Sequence, residues 1–351
     1  MKVLGIETSC DETALALIEA SGDFFSLKVK ILSDLVASQI KIHQKYGGIV
    51  PSLAKREHSK NLPILYQKIF SQPLTSHLSP QLIAVTVGPG LSPCLWEGIN
   101  FAKKISKKLN LPIVGVNHLE GHLFSVFLKK PLPQFPLVSL IISGGHTLLV
   151  LSKKPLSYKI LGETRDDAVG EAFDKVGRML GFAYPAGKEI EKMAKKGKAI
   201  IDFPSPMINQ KNYDFSYAGL KTAVLYYLKK HFKSKQPENV FLKESFIVPE
   251  KKKAQICASF QKAAFKVLIE KTLRAAKEFK VKSIVVCGGV AANEFLRKEF
   301  KKRAKENLVK AKIFFPEKNF ATDNAVMIAL AGYFHRKEIK KRLVALPNLK
   351  L

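Results

Sequence analysis

The chain has 351 residues, 46% of them hydrophobic, and 58 Lys or Arg against 29 Asp or Glu leave a net charge of +29. This length exceeds the usual size of one hydrophobic core, so we expect two packed lobes. No stretch approaches the roughly 18 consecutive apolar residues of a membrane helix, and the polar run 7–11 follows the N-terminus where a signal peptide would be apolar. These features predict a soluble cytoplasmic protein without a membrane partner.

The basic charge makes nucleic acid a candidate partner, because positive charge concentrates polyanions through long-range attraction. A lysine-rich surface that serves only solvation explains the composition equally well. The four cysteines are scattered without a CxxC pair, so the sequence predicts neither a disulfide framework nor a thiolate zinc site.

The first polar segment, 7–13, lies between the β-type run 2–6 and the apolar run 14–18, so we expect it at the tip of a β-hairpin. Its hydroxyl groups could contact phosphate or ribose. Asp11 and Glu12 are candidates for a general base and its neighbour, since paired carboxylates push their pKa values apart. A solvated turn rich in Asp and Ser is the simpler interpretation.

Helices, strands and glycine turns alternate in the next segments. We expect helices over 33–46 and from Pro51, then a strand over 82–87 that ends at the turn 88–90 and leads into an amphipathic helix. This alternation predicts an α/β fold.

Two histidines follow the apolar run 111–116, which reads as a buried strand. Asn117 is a suitable N-cap for a helix that begins with His118. In that helix His118 and His122 lie four positions apart on one face, which suits two imidazoles converging on one metal ion. Two polar side chains on an ordinary helix are the alternative.

The second half of the chain repeats the plan of the N-terminus. A strand over 137–142, a turn over 143–147 and a returning strand over 148–151 follow a proline-rich link, and a third glycine turn, 288–293, follows the strand 283–287. Glycines let the backbone approach a ligand closely. Three such turns at strand ends indicate a nucleotide held between duplicated halves.

Later segments supply further candidates. We expect a helix over 165–175 whose Asp174 could reach a ligand hydroxyl, and a long amphipathic helix over 258–279. The basic stretch 229–253 reads as a loop or insertion, with a strand at 245–248 as the alternative. Asp323 is either a carboxylate directed at a site or, as propensity favours, the cap of the apolar helix 325–334.

The motifs together resemble the TsaD family of tRNA N6-adenosine threonylcarbamoyltransferases, once classed as glycoproteases, over nearly the whole chain. The motifs that carry the resemblance are IETSCDET (6–13), YGGIVP (46–51), VGPGL (87–91), NHLEGH (117–122), SGGHT (143–147), DDAVGEAFDK (166–175), SYAGLKT (216–222), GGVAAN (288–293) and TDN (322–324).

The resemblance implies an actin-like, Hsp70-like fold: two duplicated ribonuclease-H-like lobes, 1–130 and 131–351, around a nucleotide cleft, with the last helix (about 323–336) packing back toward the N-terminal lobe. It implies one divalent metal ion, iron or alternatively zinc, on His118, His122 and Asp323. The residues that it implies for binding the substrate or nucleotide, an adenylate or ATP, are Ile141, Ile142, Ser143, Gly144, Gly145, Asp174, Gly187, Glu191 and Asn293.

The implied reaction is transfer of a threonylcarbamoyl group from threonylcarbamoyl-AMP to N6 of the adenosine 3′ of the anticodon, in tRNAs that read codons beginning with adenine. Asp11 or Glu12 would accept the amine proton, and a TsaB-type paralogue and a TsaE-type ATPase are implied partners. The alternatives are an O-carbamoyltransferase or small-molecule kinase of the same fold, a metalloendopeptidase, and a non-catalytic scaffold. Glu120 does not directly follow His118 as the glutamate of HExxH would.

Overall fold

The computed structural model describes residues 1–75, 78–235, 245–338 and 343–351. Its backbone contacts divide the chain into two compact units. Unit 1 contains Met1–Ile42, Ile49–Leu132 and Pro316–Leu351, and unit 2 contains His43–Gly48 and Pro133–Phe315.

The described residues form strands and helices that we number in chain order. The strands are β1 (Lys2–Glu7), β2 (Glu12–Ser21), β3 (Lys28–Ser38), β4 (Leu82–Gly88), β5 (Ile113–Asn117), β6 (Leu137–Ile142), β7 (Thr147–Ser152), β8 (Lys159–Glu163), β9 (Ser234–Lys235), β10 (Ser245–Phe246), β11 (Ser283–Cys287) and β12 (Lys312–Phe314). The α-helices are α1 (Ile40–Gln44), α2 (Pro51–Ser71), α3 (Ser92–Leu109), α4 (His118–Phe124), α5 (Val169–Met179), α6 (Gly187–Ala194), α7 (Ala218–His231), α8 (Glu250–Glu278), α9 (Glu294–Glu306) and α10 (Ala325–Phe334).

Unit 1 is built on a five-stranded sheet in the order β3-β2-β1-β4-β5. The first three strands are antiparallel, and β4 and β5 run parallel to β1. Strand β1 is buried after its first residue and apolar from Val3 to Ile6, as expected for a central strand that is covered on both faces. The carboxyl ends of β1, β4 and β5 therefore meet at one edge, and the segments that follow them lie side by side.

Helix α10 covers this sheet. Its residues are buried from Ala325 to Tyr333, and it packs against β1, β2, β4 and α4. The helix can approach β1 closely because Gly5 has no side chain, and a Cβ there would lie 2.2 Å from the carbonyl oxygen of Ala325. The close packing fixes the position of the segment that enters α10, which contains Asp323.

Unit 2 repeats the topology. Its five-stranded sheet has the order β12-β11-β6-β7-β8, with β6, β7 and β8 antiparallel and β11 and β12 parallel to β6. Helix α8 supplies much of the core, where the rings of Phe173, Phe260 and Phe265 pack together. The predicted duplication of a strand-turn-strand plan is confirmed, because β1-β2-β3 and β6-β7-β8 open the two sheets in the same way.

Several predicted strands and one predicted helix cap are confirmed. The apolar runs 2–6, 82–87, 137–142 and 283–287 are strands, and Asn117 caps α4 by accepting a hydrogen bond from the amide of Leu119 at 2.9 Å. The long helix is α8, which begins earlier than predicted, at Glu250.

Other predictions are wrong. The segment 33–46 is not one helix: β3 continues to Ser38, and only Ile40–Gln44 is helical. Its pairing with β2 along the whole strand outweighs the local helical pattern, since cross-strand packing often overrides propensity. Within 165–175 the helix begins only at Val169, because Asp166 instead accepts hydrogen bonds from the amides of Tyr217 and Ala218, at the start of α7.

The basic stretch 229–253 is a loop only in part. Helix α7 continues to His231, and β9 and β10 pair as two short antiparallel strands. The alternative of a strand near 245–248 is thus confirmed for Ser245–Phe246, and residues 236–244 lie outside the described part of the chain. Across the described ranges, none of the helices combines the length and the apolar character that crossing a membrane requires.

Candidate functional site

The edge of the unit 1 sheet at the carboxyl ends of β1 and β5 holds a cluster of two histidines and a carboxylate. His118 and His122 project from the first and second turns of α4, and Asp323 precedes α10 by two residues. One ligand atom of each of the three side chains lies within 4.8 Å of the other two. The two imidazole centroids are 4.7 Å apart, as the spacing of four positions predicts.

The distances match a shared metal ion. Nε2 of His118 lies 3.5 Å and Nε2 of His122 lies 3.1 Å from the same oxygen, Oδ1 of Asp323. Two ligands that bind one tetrahedral ion at about 2.0–2.1 Å are roughly 3.3 Å apart. The three residues can therefore hold a divalent ion and leave a position for substrate.

The surroundings of the His122 ring support this fit. Within the described part of the chain, neither ring nitrogen of the buried His122 has a hydrogen-bond partner, and its short distance to Asp323 lacks hydrogen-bond alignment. A buried polar atom without a partner is costly. A metal bond to Nε2 would remove one of these costs, so the donor set suits a metal ion.

His118 differs from His122 because a buried carboxylate holds its other nitrogen. Its Nδ1–H donates to Oε2 of Glu7 at 2.9 Å. Burial would lower the pKa of His118, but the charges of Glu7 and Asp323 and this hydrogen bond raise it to about 9. Burial would likewise raise the pKa of Glu7, but the charge and hydrogen bond of His118 outweigh it and lower that pKa. Metal binding at Nε2 of His118 therefore competes with a proton.

The predicted solvated turn between β1 and β2 is wrong. Glu7, Thr8 and Thr13 are fully buried, and Asp11 is 8% exposed. His58 holds the turn from below: its Nε2–H donates to the carbonyl oxygen of Cys10 at 3.0 Å, and its Nδ1 accepts from the hydroxyl of Thr13 at 2.8 Å. The turn is thus a fixed part of the site.

Asp11 and Glu12 are neighbours on this turn, and the charge of Asp323 acts on Glu12. Burial first, and then the negative charges of Asp323 and Asp11, raise the pKa of Glu12 to about 10. A carboxyl group with that pKa keeps its proton at neutral pH. Glu12 therefore carries a proton that it can donate within this turn.

Asp323 is not the cap of α10. The adjacent Asn324 takes that role, with its Oδ1 accepting from the amide of Met327 at 3.0 Å. The sequence favoured the cap for Asp323 because Asp and Asn are equally good N-caps, and only the backbone position decides between neighbours.

The glycine turns of unit 2 come together at adjacent strand ends. Strands β6 and β11 pair in parallel, with Ile141 beside Cys287, so the turns that follow them are neighbours. Gly288 has a φ of +91°, and a Cβ there would lie 2.3 Å from the carbonyl oxygen of Ile142. Gly144 differs, since a Cβ there would meet no atom of the described chain within 4 Å. Packing thus requires Gly288 but not Gly144.

The polar side chains among the other predicted binding residues of unit 2 accept hydrogen bonds from backbone amides at the starts of two helices. Oδ1 of Asp174 accepts from the amide of Ala186 at 2.7 Å, directly before Gly187 and α6. Oε1 of Glu191 accepts from the amide of Glu294 at 2.8 Å. Asn293 caps α9 by accepting from the amide of Leu296 at 3.0 Å. The polar side chains therefore hold the starts of α6 and α9 in place.

Sequence reasoning missed two contributors to the unit 1 site. One is Glu7, for which the signal was a single carboxylate at the end of an otherwise apolar strand. The other is the C-terminal segment, where the amide of Gly90 donates to the carbonyl oxygen of Pro347 at 3.1 Å and the side chain of Asn117 donates to that of Lys350 at 3.0 Å. Nothing in the composition of residues 343–351 indicates these contacts.

Solved structures share the fold. HypF of T. kodakarensis aligns over 98% of this chain and 49% of its own, with a TM-score of 0.56 at 15% identity. The activator of 2-hydroxyisocaproyl-CoA dehydratase from Clostridium difficile, solved with bound ADPNP, aligns over 97% of this chain and 99% of its own, with a TM-score of 0.51 at 14% identity. These likenesses and the duplicated sheets define an α/β protein of the actin-like ATPase fold class.

Sequence relatives give the family. Residues 30–330 match the family described as "TsaD: tRNA N6-adenosine threonylcarbamoyltransferase". Proteins with the name tRNA N6-adenosine threonylcarbamoyltransferase are similar throughout: that of Thermosipho africanus is 45% identical over the full length of both chains, and that of Dictyoglomus turgidum is 43% identical over 99% of this chain and 98% of its own. The chain belongs to the TsaD family.

Proposed function

We propose that this chain transfers the threonylcarbamoyl group of threonylcarbamoyl-AMP to N6 of the adenosine 3′ of the anticodon, in tRNAs that read codons beginning with adenine, and releases AMP. The observation that carries the proposal is the convergence of His118, His122 and Asp323 in a chain that matches the TsaD family over residues 30–330. The net charge of +29 supports tRNA as the acceptor, because phosphate contacts dominate nucleic-acid affinity.

The acceptor amine explains why such a site is useful. Its lone pair is delocalised into the purine, so it is a weak nucleophile and the carbamoyl carbon must be made more electrophilic. When bound by His118, His122 and Asp323, a divalent ion supplies Lewis-acid chemistry for the carbamoyl carbonyl. The protein holds the three ligands on α4 and before α10, two segments that are packed against one sheet.

The proton of the amine has a candidate acceptor in the same unit. We propose that Asp11 of the Asp11–Glu12 pair takes it, because Glu12 keeps its own proton at neutral pH. His58 and Thr13 hold the turn that bears the pair, so the carboxylates keep a fixed place beside Asp323.

The adenylate is proposed to bind unit 2. Ser143, Gly144 and Gly145 offer backbone groups at the end of β6, beside the start of α5, where the amide of Gly170 donates to the carbonyl oxygen of Ser143 at 3.3 Å. Ile141 and Ile142 are fully buried and so contribute through the main chain. Asp174, Gly187, Glu191 and Asn293 shape the adjoining turns through the contacts described above.

The rival functions find less support. Glu120, the acid that a metalloendopeptidase would use, is 4% exposed and lies 2.7 Å from Nε2 of His335, so its carboxylate is already engaged. The likeness to HypF shows the fold alone and does not favour an O-carbamoyltransferase or a kinase. We propose iron as the ion, with zinc as the alternative, TsaB-type and TsaE-type proteins as partners, and the cytoplasm as the location.

Nucleoside mass spectrometry tests the function. The chain would be combined with its partners, threonine, bicarbonate, ATP, an enzyme that forms threonylcarbamoyl-AMP and unmodified tRNA, and digested tRNA would be analysed for threonylcarbamoyladenosine. We expect wild-type protein to form it and His118→Ala to form at least 100-fold less. His231→Ala, which changes an exposed histidine at the end of α7, is the matched control. Equal product with wild type and His118→Ala would contradict the proposal.

A further inference from the structure

The two histidines of the proposed metal site are held differently. His118 is 5% exposed and its Nδ1 is hydrogen-bonded, whereas His122 is fully buried and, among the described residues, has no hydrogen bond at either nitrogen. The spacing of four positions on α4 does not explain this difference. It arises from what the sheet presents to each ring.

Glu7 is the residue that the sheet presents to His118. It ends β1, is fully buried, and accepts three hydrogen bonds from different parts of unit 1. The amide of Ser9 donates to its Oε1 at 2.5 Å, and the Thr86 hydroxyl at 2.7 Å and Nδ1–H of His118 at 2.9 Å both donate to its Oε2. Because Thr86 lies on the neighbouring strand β4, the plane of the carboxylate is fixed by the sheet itself.

We infer that Glu7 is a positioning residue for metal binding: its carboxylate holds the proton of His118 on Nδ1 and directs the lone pair of Nε2 toward Asp323. This inference rests on the metal site of the proposed function. Metal-binding histidines commonly donate their second nitrogen to a carboxylate, which fixes the tautomer and the ring orientation. Within the polar segment 7–13, Glu7 thus serves the metal site.

The hydrogen-bond inventory distinguishes this role from simple packing. A glutamine at position 7 has the shape of Glu7 but only one acceptor oxygen, and its NH2 group can only donate. If the oxygen keeps the amide of Ser9, the NH2 group faces Nδ1 of His118 and favours the tautomer that carries its proton on Nε2, where no metal can bind. Glu7→Gln should therefore impair metal binding without removing side-chain volume.

The test measures the dissociation constant for Zn²⁺ by competition with a chromogenic chelator. We expect Glu7→Gln to bind Zn²⁺ 10- to 100-fold more weakly than wild type, and Thr86→Val, which removes one hydrogen bond from the carboxylate, to bind more weakly by a smaller factor. Glu120→Gln is the matched control, because it changes another buried carboxylate that contacts a histidine, on α4 itself. It should bind Zn²⁺ within twofold of wild type.

A second measurement separates positioning from loss of structure. The visible spectrum of bound Co²⁺ should change in Glu7→Gln and stay unchanged in Glu120→Gln, with thermal melting used to verify that each variant is folded. Zn²⁺ affinity within twofold of wild type and an unchanged Co²⁺ spectrum in Glu7→Gln would overturn the inference. If Glu7→Gln does not fold, Thr86→Val decides: more than twofold weaker binding supports the inference, and unchanged binding overturns it. His118→Ala serves as the non-binding reference. If wild-type protein binds no more Zn²⁺ than this reference, both the metal site and the inference are overturned.

Discussion

The carboxylate of Glu120 lies 2.7 Å from Nε2 of His335, so the acid between the two candidate metal ligands binds the end of α10. Glu338 lies 2.9 Å from the other ring nitrogen. Burial would lower the pKa of His335, but the hydrogen bond to Glu120 and the charges of Glu120 and Glu338 raise it to about 9. The contact joins α4 to the residue that directly follows α10.

This pair predicts a pH dependence of stability. A histidine whose pKa is higher in the folded state stabilises the fold fully below its unfolded pKa of about 6.5, and this contribution is lost as the pH rises through 9. The contribution is at most about 3.5 kcal/mol, since one pKa unit corresponds to about 1.4 kcal/mol. Urea unfolding of wild type and His335→Gln should differ most at pH 6 and little at pH 9.5. A difference independent of pH would contradict the assignment.

Metal removal gives a second prediction. A ligand that binds only the folded state stabilises it by about 2.7 kcal/mol at 100 times its dissociation constant, so wild type with Zn²⁺ should melt at a higher temperature than wild type with chelator. Asp323→Asn should melt at the same temperature in both conditions, because an amide is a poor replacement for the carboxylate ligand. Asp202→Asn, a change at an exposed carboxylate in unit 2, is the control and should respond as wild type does.

Replacement by alanine should destabilise the protein at one glycine of unit 2 and leave its stability unchanged at another. Gly288→Ala places a Cβ at a φ of +91° and 2.3 Å from a backbone oxygen. With a ψ of 166°, this backbone conformation is one that essentially only glycine adopts, and it costs other residues about 1–3 kcal/mol. The free energy of unfolding should therefore fall by at least about 1 kcal/mol. Gly144→Ala meets no described atom within 4 Å and should leave stability within about 0.5 kcal/mol, the range of ordinary surface changes.

Nucleotide binding gives a further test of Gly144→Ala. If the backbone at Gly144 approaches the adenylate, its methyl group should weaken AMP binding by tenfold or more, as measured by calorimetry on the folded variant. Unchanged AMP affinity in Gly144→Ala would contradict the assignment of the 143–145 turn to nucleotide binding.

The sequence predicts much of this fold because its strands are apolar and its turns contain glycine. The runs 2–6 and 137–142 are strands as predicted, and the Asn117 cap and the histidine spacing follow from local rules. The prediction of a helix over 33–46 was wrong because the conformation of this segment depends on pairing with β2. Local propensity carries no information about that pairing. The role of Glu7 was not predicted for a related reason, because its burial depends on contacts to β4 and α4. The cap of α10 was predicted at Asp323 instead of Asn324 because the two residues are adjacent and have similar capping propensity.

The C-terminal segment provides the last prediction. The amide of Leu346 donates to the carbonyl oxygen of Val87 at 2.7 Å, and the carbonyl oxygen of Lys350 accepts from Nδ2 of Asn117 at 3.0 Å. The same Asn117 side chain caps α4 through its oxygen, so the segment fixes the orientation of the amide that starts the helix of His118 and His122. An N-cap contributes about 1 kcal/mol.

Deletion of residues 346–351 should therefore destabilise the start of α4 and weaken Zn²⁺ binding several-fold. Hydrogen exchange should show faster exchange at the amide of Leu119, which donates to the cap. The control is Asn348→Ala in the full-length chain, which changes the sequence of the C-terminal segment but keeps its backbone contacts. In this variant the amide of Leu119 should exchange at the wild-type rate. Equal protection of Leu119 in the deletion variant and in wild type would show that α4 holds its cap without the C-terminal segment.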